Sequence, residues 1–211
     1  MKWISLIALL LLFASCNKRS TTEFTVMGQI NHYTTGSGLD GVTILVYENT
    51  SSGMNVGQSL IGTTSSNSDG SYSIVFPRNL VESYTIRFYK EGYFLEEVFL
   101  NFSDLHTDED NIININQRPI GWIRFVIENV APTDPQDQLK IYKESGTTNC
   151  ADCCPDGYYY YDGANINTTM TCPNVAGEYF VFRIWDVLQP SYTFDSVLIV
   201  QNDTIDYVVH Y

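Results

Sequence analysis

Apolar and polar residues alternate with a period of two in several segments of the chain beyond residue 22. Alternation over five or more residues is typical of strands that bury one face, and no window has a sustained helical period. The clearest examples are Val42, Ile44 and Val46, then Tyr72, Ile74 and Phe76, then Tyr84, Ile86 and Phe88. The pattern predicts strands near 23–33, 42–48, 59–65, 71–76, 83–90, 93–100 and 112–117, and later near 120–128, 138–143, 157–161, 178–187, 194–200 and 203–210. The fold class that follows is all-β.

Turn sequences separate these predicted strands. Asp69-Gly70 lies between two alternating segments and is a strong hairpin signal, because glycine accepts a positive φ at little cost. At Arg118-Pro119 the alternation stops and then begins again, and the interval 129–137, with its prolines and acidic residues, is predicted to be a loop. We therefore expect two small antiparallel β-sandwich domains, residues 23–117 and 118–211. The two halves share no repeated motif, which argues against an internal duplication.

Five short motifs follow one another between residues 24 and 100. They are Val26-x-Gly28-x-Ile30, Leu39-Asp40-Gly41-Val42, Gly62-Thr63-Thr64, Asp69-Gly70-Ser71-Tyr72 and Gly92-Tyr93. In this order and spacing they resemble the carboxypeptidase regulatory-like domain, a transthyretin-like β-sandwich. Two segments depart from that family's pattern: Ser51 to Gln58 is longer than its usual hairpin, and Ser65 to Asn67 replaces its common Thr-Asp. The resemblance implies a non-catalytic domain of envelope proteins that handle nutrients, adhesion or surface assembly.

The N-terminus has the organisation of a secretory signal. Met1-Lys2 supplies one positive charge, an apolar stretch follows to Phe13, and small residues precede Cys16. Such a segment is too short to remain as a membrane-spanning helix. Phe13-Ala14-Ser15-Cys16 resembles the lipobox of bacterial lipoproteins, which implies removal of residues 1–15 and acylation of Cys16. The alternative is an ordinary signal peptide with a coincidental cysteine.

Charge and anchoring together limit the partners and the location. The chain has 11 Lys and Arg against 24 Asp and Glu, a net charge of −13, which argues against nucleic acid and against anionic lipid surfaces as partners. An acyl group on Cys16, followed by a linker to residue 22, predicts a lipid-anchored protein of the cell envelope, at the outer membrane. Asn17-Lys18-Arg19 lacks the acidic run that resembles surface-export signals, which favours the periplasmic face without deciding it.

Two sequence patterns raise the question of a metal site. His106-x-x-Glu109 matches the first zinc-ligand pair of metallocarboxypeptidases, with His210 as an imaginable third ligand. A catalytic zinc, however, needs rigid ligands, supporting hydrogen bonds and an α/β scaffold for which this chain has no room. The acidic loop 104–110 could bind calcium, but a solvated surface loop is the preferred interpretation. We therefore predict no metal and no cofactor.

The motifs of common enzymes are also missing from the sequence. It contains no Gly-x-Ser-x-Gly nucleophile elbow and no glycine-rich phosphate loop. Its three histidines are not close in sequence to any cysteine, which leaves little for a nucleophile–base pair. We therefore expect a protein that is not an enzyme.

Four cysteines remain after Cys16, namely Cys150, Cys153, Cys154 and Cys172. Two disulfides, a zinc site and free thiols are the alternatives, and an even count in an exported chain favours disulfides. Neighbouring residues on an extended chain point apart, so a bond between Cys153 and Cys154 is disfavoured. Two connectivities remain, and both join Cys172 to one of these two cysteines.

Tyr158, Tyr159, Tyr160 and Tyr161 form an unbroken aromatic run. In a strand, two of them point to each face, so one pair is expected in the core. The outward pair could stack on sugar rings or on a partner, although exposed tyrosines also occur as plain cross-strand neighbours. The favoured function is a non-catalytic, membrane-anchored lipoprotein that binds or scaffolds another envelope protein. The alternative is a carbohydrate-recognition lipoprotein that uses the loops and tyrosines of the second domain.

Overall fold

The computed structural model describes residues 22–52, 55–133, 135–148, 150, 153–188 and 191–211. These residues form two β-sandwiches, and no α-helix occurs among them. The predicted all-β fold class is therefore confirmed. The predicted leader, Cys16 and the linker up to residue 21 lie outside the described residues. Within the described ranges, no helix is long and apolar enough to cross a membrane.

The strands follow one another with short connections. In chain order they are β1 Glu23–His32, β2 Thr43–Ser52, β3 Asn55–Ser65, β4 Ser71–Pro77, β5 Ser83–Tyr89, β6 Glu96–Asn101, β7 Asn111–Ile112, β8 Ile115–Gln117, β9 Ile120–Glu128, β10 Gln138–Ser145, β11 Tyr158–Asp162, β12 Asn167–Val175, β13 Tyr179–Asp186, β14 Thr193–Leu198 and β15 Thr204–His210. A single 3-10 turn, Phe102–Asp104, follows β6 in the described chain.

The first sandwich packs one sheet of order β4-β1-β7, with β8 also paired to β1, against a sheet of order β3-β2-β5-β6. The alternating positions predicted from the sequence supply its core. Val46, Ile86 and Phe24 are almost fully inaccessible, as are most of their neighbours on the same faces. Phe24 and Tyr84 meet edge to face at 5.9 Å, a favourable geometry for aromatic pairs. Period-two alternation therefore identified the buried faces correctly.

The second sandwich repeats the strand order of the first. Its sheets have the orders β12-β9-β15 and β11-β10-β13-β14. In both sandwiches the first strand, β1 or β9, is an inner strand of its sheet, and the last strand, β8 or β15, pairs with it in parallel. The core is built from Phe125, Phe180 and Phe182, with Tyr159 and Tyr207 packed against it. The two halves share this strand order although they share no sequence motif, because different side chains occupy the equivalent strands.

Strand β12 was not predicted. Its sequence, Asn-Thr-Thr-Met-Thr-Cys-Pro-Asn-Val, lacks the apolar alternation that indicates a half-buried strand. The segment nevertheless pairs with β9 along its whole length, from Asn167 opposite Glu128 to Val175 opposite Ile120. Because β12 is at the edge of its sheet, Pro173 is tolerated there. The segment forms a strand because it pairs with the strongly apolar β9, and its own sequence lacks the pattern that would predict one.

The hairpin prediction for Asp69-Gly70 is wrong, although the turn itself exists. Gly70 has a φ of 84°, and the amide of Ser71 donates to Asp69 Oδ1 at 2.9 Å. However, β3 and β4 belong to different sheets, because β4 pairs with β1. The turn therefore carries the chain across the core from one sheet to the other.

The strands predicted near 42–48 and 59–65 are longer in the structure, so most of the segment from Ser51 to Gln58 is paired. The backbone of β2 continues to Ser52, β3 begins at Asn55, and their pairing extends to the Ser52–Asn55 pair. The departure from the family's usual hairpin is therefore a longer pair of strands. Because the segment is polar, its sequence did not predict that β2 and β3 extend this far.

A small apolar cluster joins the two sandwiches. Phe94 from the first packs with Cys153 and Val175 from the second, and Ile120 and Cys150 lie against them. Backbone hydrogen bonds support the contact, since the amide of Phe94 donates to the carbonyl of Arg118 at 2.9 Å. Arg118-Pro119, where the alternation restarts, therefore lies inside this contact.

We expect alkaline pH to destabilise the second sandwich. Burial raises the pKa of Tyr159 to about 12, and burial together with a hydrogen bond to Asp195 raises the pKa of Tyr207 to about 12. Because both folded-state values exceed the unfolded value near 10, the associated stability is complete below about pH 10 and is lost as the pH rises towards 12. Thermal melts between pH 9 and 12 should show this decline, and Tyr207→Phe should make it shallower. A melting temperature that stays constant over this range would contradict the expectation.

Candidate binding face

The outward side of the sheet β11-β10-β13-β14 carries a continuous group of aromatic and basic side chains. Alternation produces it: Leu139, Ile141, Phe180 and Phe182 point inward and are buried, so the residues between them point outward. We call this surface the aromatic face and define it by Lys140, Tyr142, Tyr158, Tyr160, Arg183, Trp185, Tyr192 and Phe194.

Cross-strand register arranges one row of the aromatic face around a lysine. Lys140 is opposite Tyr160 on one side and opposite Trp185 on the other. Its Nζ atom lies 5.6 Å from the centre of the Tyr160 ring and 4.9 Å from that of Trp185. These are cation–π distances, so the two rings hold the ammonium group over the sheet. The exposed fractions of Tyr160 and Trp185 are 57% and 37%, which leaves ring surface open to solvent.

The neighbouring row is centred on an arginine. Tyr142 is opposite Tyr158, and their rings are 4.5 Å apart. The guanidinium carbon of Arg183 lies 4.9 Å from the Tyr142 ring and 5.0 Å from the Tyr192 ring. Its Nε is 2.5 Å from Glu144 Oε1, a charge contact in which the N–H is not aligned for a hydrogen bond. Arg183 is therefore enclosed by rings and already neutralised by a carboxylate.

Between the rows is a shallow cleft of about 230 Å³. Its lining consists of Lys140, Tyr142, Tyr158, Arg183, Trp185, Ser191 and Tyr192. The cleft thus offers ring surfaces together with hydroxyl and cationic donors. Mostly aromatic walls with a few polar groups are typical of small-molecule sites, although such sites usually measure about 300–1,000 Å³. A cleft of this size suits one ring of a longer ligand.

The tyrosine run contributes to both faces of the sheet. Tyr158 and Tyr160 point outward, whereas Tyr159 and Tyr161 pack against the core. The role of the outward pair in binding stays a prediction. Sequence reasoning missed Lys140, Arg183 and Trp185, although the polar and aromatic positions between buried residues of β10 and β13 could have indicated them. Their assembly depends on strand order, which no local pattern reveals.

The four cysteines form two disulfides, Cys150–Cys153 and Cys154–Cys172. The predicted pair of disulfides is confirmed, and the structure selects one of the two connectivities that the sequence left open. Beside them, the buried Lys143 donates to the carbonyls of Thr147 and Cys154 at 2.5 and 2.9 Å. Its ammonium also pairs with Asp156 at 2.8 Å. The disulfides and Lys143 together fix the segment that leads into β11.

The structure places the histidines of the possible zinc motif in different sandwiches. His106 Nδ1 lies 3.7 Å from Glu109 Oε1, with both side chains exposed. His210 belongs to the second sandwich and pairs with Glu128 at 3.3 Å. In the acidic loop, Asp104 accepts a hydrogen bond from Asn101. No group of three or more potential metal-ligating side chains occurs in the part of the chain that the structure describes.

Comparison with known proteins does not assign the chain to a family. No family model and no curated protein matches it. Among solved structures, the shaft pilin SpaA of Lactobacillus rhamnosus GG is similar, with 11% identity, a TM-score of 0.38 and coverage of 90% of this chain and 98% of that chain. The minor pilin GBS52 of Streptococcus agalactiae has 12% identity, a TM-score of 0.35 and coverage of 89% and 94%. The Bacillus anthracis TIE protein has 13% identity and a TM-score of 0.37; the match covers 90% of this chain and 34% of that one.

Likeness this distant assigns neither a family nor a function. The resemblance of residues 24–100 to the carboxypeptidase regulatory-like domain therefore stays a prediction.

Proposed function

We propose that this chain is a non-catalytic, lipid-anchored envelope protein that binds a glycan through the aromatic face. The observation that carries the proposal is the row Tyr160, Lys140 and Trp185, in which two partly exposed rings flank a polar group. A sugar ring has an apolar C–H side and a rim of hydroxyls, so it can stack on the rings while its rim hydrogen-bonds to the side chains between them. Tyrosine and tryptophan provide such contact area at low entropic cost.

A glycan suits this face better than a second protein does. Stable protein interfaces bury about 800 Å² on each partner, and lysine is depleted at them. On the aromatic face, by contrast, Lys140 lines the cleft and lies on β10, an inner strand of the sheet. The scaffolding role that the sequence favoured therefore becomes the second candidate.

Binding should depend on the exposed rings. We expect Trp185→Ala in the full chain to weaken glycan binding by about 2 kcal/mol, roughly 30-fold in Kd, because central aromatic residues dominate recognition. A glycan array followed by calorimetry on the bound glycans measures this. Phe99→Ala is the matched control, since Phe99 is 65% exposed on the first sandwich and should have no effect. Co-purification of one envelope protein that is lost in Trp185→Ala, with no glycan bound, would instead favour the scaffolding role.

Anchoring is tested at Cys16. If Cys16 carries the acyl groups, the wild-type chain should incorporate palmitate and partition into detergent, because several buried chains anchor a protein firmly. Cys16→Ser should abolish both properties. A variant with Cys150→Ser and Cys153→Ser should keep them, which controls for the loss of cysteine in general. Palmitate labelling that persists in Cys16→Ser would remove the basis of the lipoprotein assignment.

A further inference from the structure

Lys140 differs from most basic side chains of the described chain in its electrostatic surroundings. Five others each have a carboxylate partner: Arg87 with Glu97, Arg118 with Glu96, Arg124 with Asp206, Lys143 with Asp156 and Arg183 with Glu144. Lys140 has no described carboxylate within 4.0 Å, and its ammonium is held by the rings of Tyr160 and Trp185. Its positive charge is therefore not neutralised within the described residues.

The cleft is also unusual for a chain of this composition. Asp and Glu outnumber Lys and Arg by 24 to 11, yet the described residues that line the cleft include two basic side chains and no acidic one. The carboxylates of this sheet are already engaged. Glu144 contacts Arg183, and Asp162 accepts a hydrogen bond from Gln138. Asp186 accepts one from the amide of Leu188, and Asp195 accepts one from the Tyr207 hydroxyl. The positive charge of Lys140 thus faces solvent on a ring-lined surface.

From this charge pattern we infer that the ligand of the aromatic face is an acidic glycan, and that Lys140 binds the carboxylate of one of its uronic acid residues. The inference rests on the proposed function and adds the ligand class to it. A neutral sugar would satisfy the rings but would leave the ammonium without a counter-charge. A uronate presents its carboxylate at the rim of the sugar ring, so a ring stacked on Tyr160 or Trp185 brings that group towards Nζ. Lysine and carboxylate then form a charge-assisted hydrogen bond, the stronger kind.

The rest of the protein makes Lys140 a selectivity residue. Because the net charge is −13, an acidic polymer is repelled at long range, although at physiological salt this repulsion is largely screened beyond about 8 Å. Attraction must therefore be local. Within the cleft, Arg183 is matched by Glu144, so Lys140 supplies the charge that distinguishes acidic from neutral ligands.

The experiment compares two ligands with the same sugar backbone, one with free carboxylates and one in which each carboxylate is a neutral methyl ester. The full chain is titrated calorimetrically with oligogalacturonate and with the same oligomer after complete methyl esterification, and both are placed in a wider panel of uronate-containing and neutral polysaccharides. We expect the uronate form to bind about tenfold more tightly, a typical effect of one charge-assisted contact. Lys140→Met, which keeps the apolar stem, should abolish this preference, whereas Lys140→Arg should retain it.

The outcomes separate this inference from the proposed function. Equal binding of charged and neutral forms, or a preference that survives in Lys140→Met, would overturn the role of Lys140. If Trp185→Ala still abolished binding of both glycan forms in that case, the proposal that the aromatic face binds a glycan would be kept. Absence of binding to every polysaccharide of the panel would contradict both proposals. Binding of a proline-rich peptide in their place would reassign the aromatic face to protein recognition.

Discussion

Removing the Cys154–Cys172 disulfide should lower the free energy of unfolding of the second sandwich by about 3 kcal/mol. The bond closes a separation of 18 residues, and a loop of this size restricts the unfolded chain by about that amount. Both half-cystines are buried in the second core, so replacing them with alanine avoids adding a polar group. The loss should be measured by urea unfolding without reductant.

Tryptophan fluorescence is a selective probe for this experiment. The chain has three tryptophans; Trp3 lies in the predicted leader, and Trp122 and Trp185 lie in β9 and β13. Emission of the processed chain therefore follows the second sandwich alone. The matched control replaces Cys150 and Cys153 with alanine; this pair has a separation of 3, so its loss should cost roughly half as much. If both double variants unfolded at the wild-type urea concentration, the disulfides would contribute nothing to the stability of the fold.

Replacing Phe125 with alanine should destabilise the second sandwich still further, by about 3–5 kcal/mol. Phe125 is fully buried in β9, and its ring centre is 4.9 Å from that of Phe182 and 5.8 Å from that of Tyr207. Removing the ring leaves a cavity between both sheets that rigid strands cannot close. The fluorescence transition should shift strongly towards lower urea.

The same variant tests whether the halves unfold separately. If residues 23–117 form an independent unit, circular dichroism of Phe125→Ala should show a second transition at the position of the wild-type first sandwich. Phe99→Ala, an exposed phenylalanine on β6, should change stability by less than about 0.5 kcal/mol. A single transition that moves as a whole would mean that the cluster of Phe94, Cys153 and Val175 couples the halves into one cooperative unit.

The sequence was most informative where burial acts on single strands. Val42, Ile44 and Val46 alternate with outward-facing residues because one side of this segment meets the core, so the local sequence shows which side is buried. The local sequence does not show which strand is the pairing partner, because hydrogen bonds between strands use backbone groups that every residue has. The turn at Asp69-Gly70 therefore looked like a hairpin although it crosses between sheets, and β12 was missed because an apolar neighbour, β9, determines it.

The candidate site shows the same limit. The sequence pointed to Tyr158 and Tyr160 because four tyrosines in a row are conspicuous, but nothing local connected them to Lys140 or Trp185. For the cysteines, strand geometry excluded one pairing, and the choice between the remaining two depended on packing. Cys154 points into the second core towards Cys172, whereas Cys153 lies at the junction with the first sandwich.

The parallel pairing at the ends of the first sandwich determines how this module would carry tension. In a chain tethered at Cys16 and holding a ligand on the second sandwich, force passes through the first sandwich between Glu23 and Gln117. Because β1 runs parallel to β7 and β8, pulling these ends apart slides the strands along one another. Their hydrogen bonds are then loaded together, in shear, instead of opening one after another like a zipper. If Cys16 is the anchor and the aromatic face binds a ligand, as proposed, this topology favours a connection between them that resists stretching.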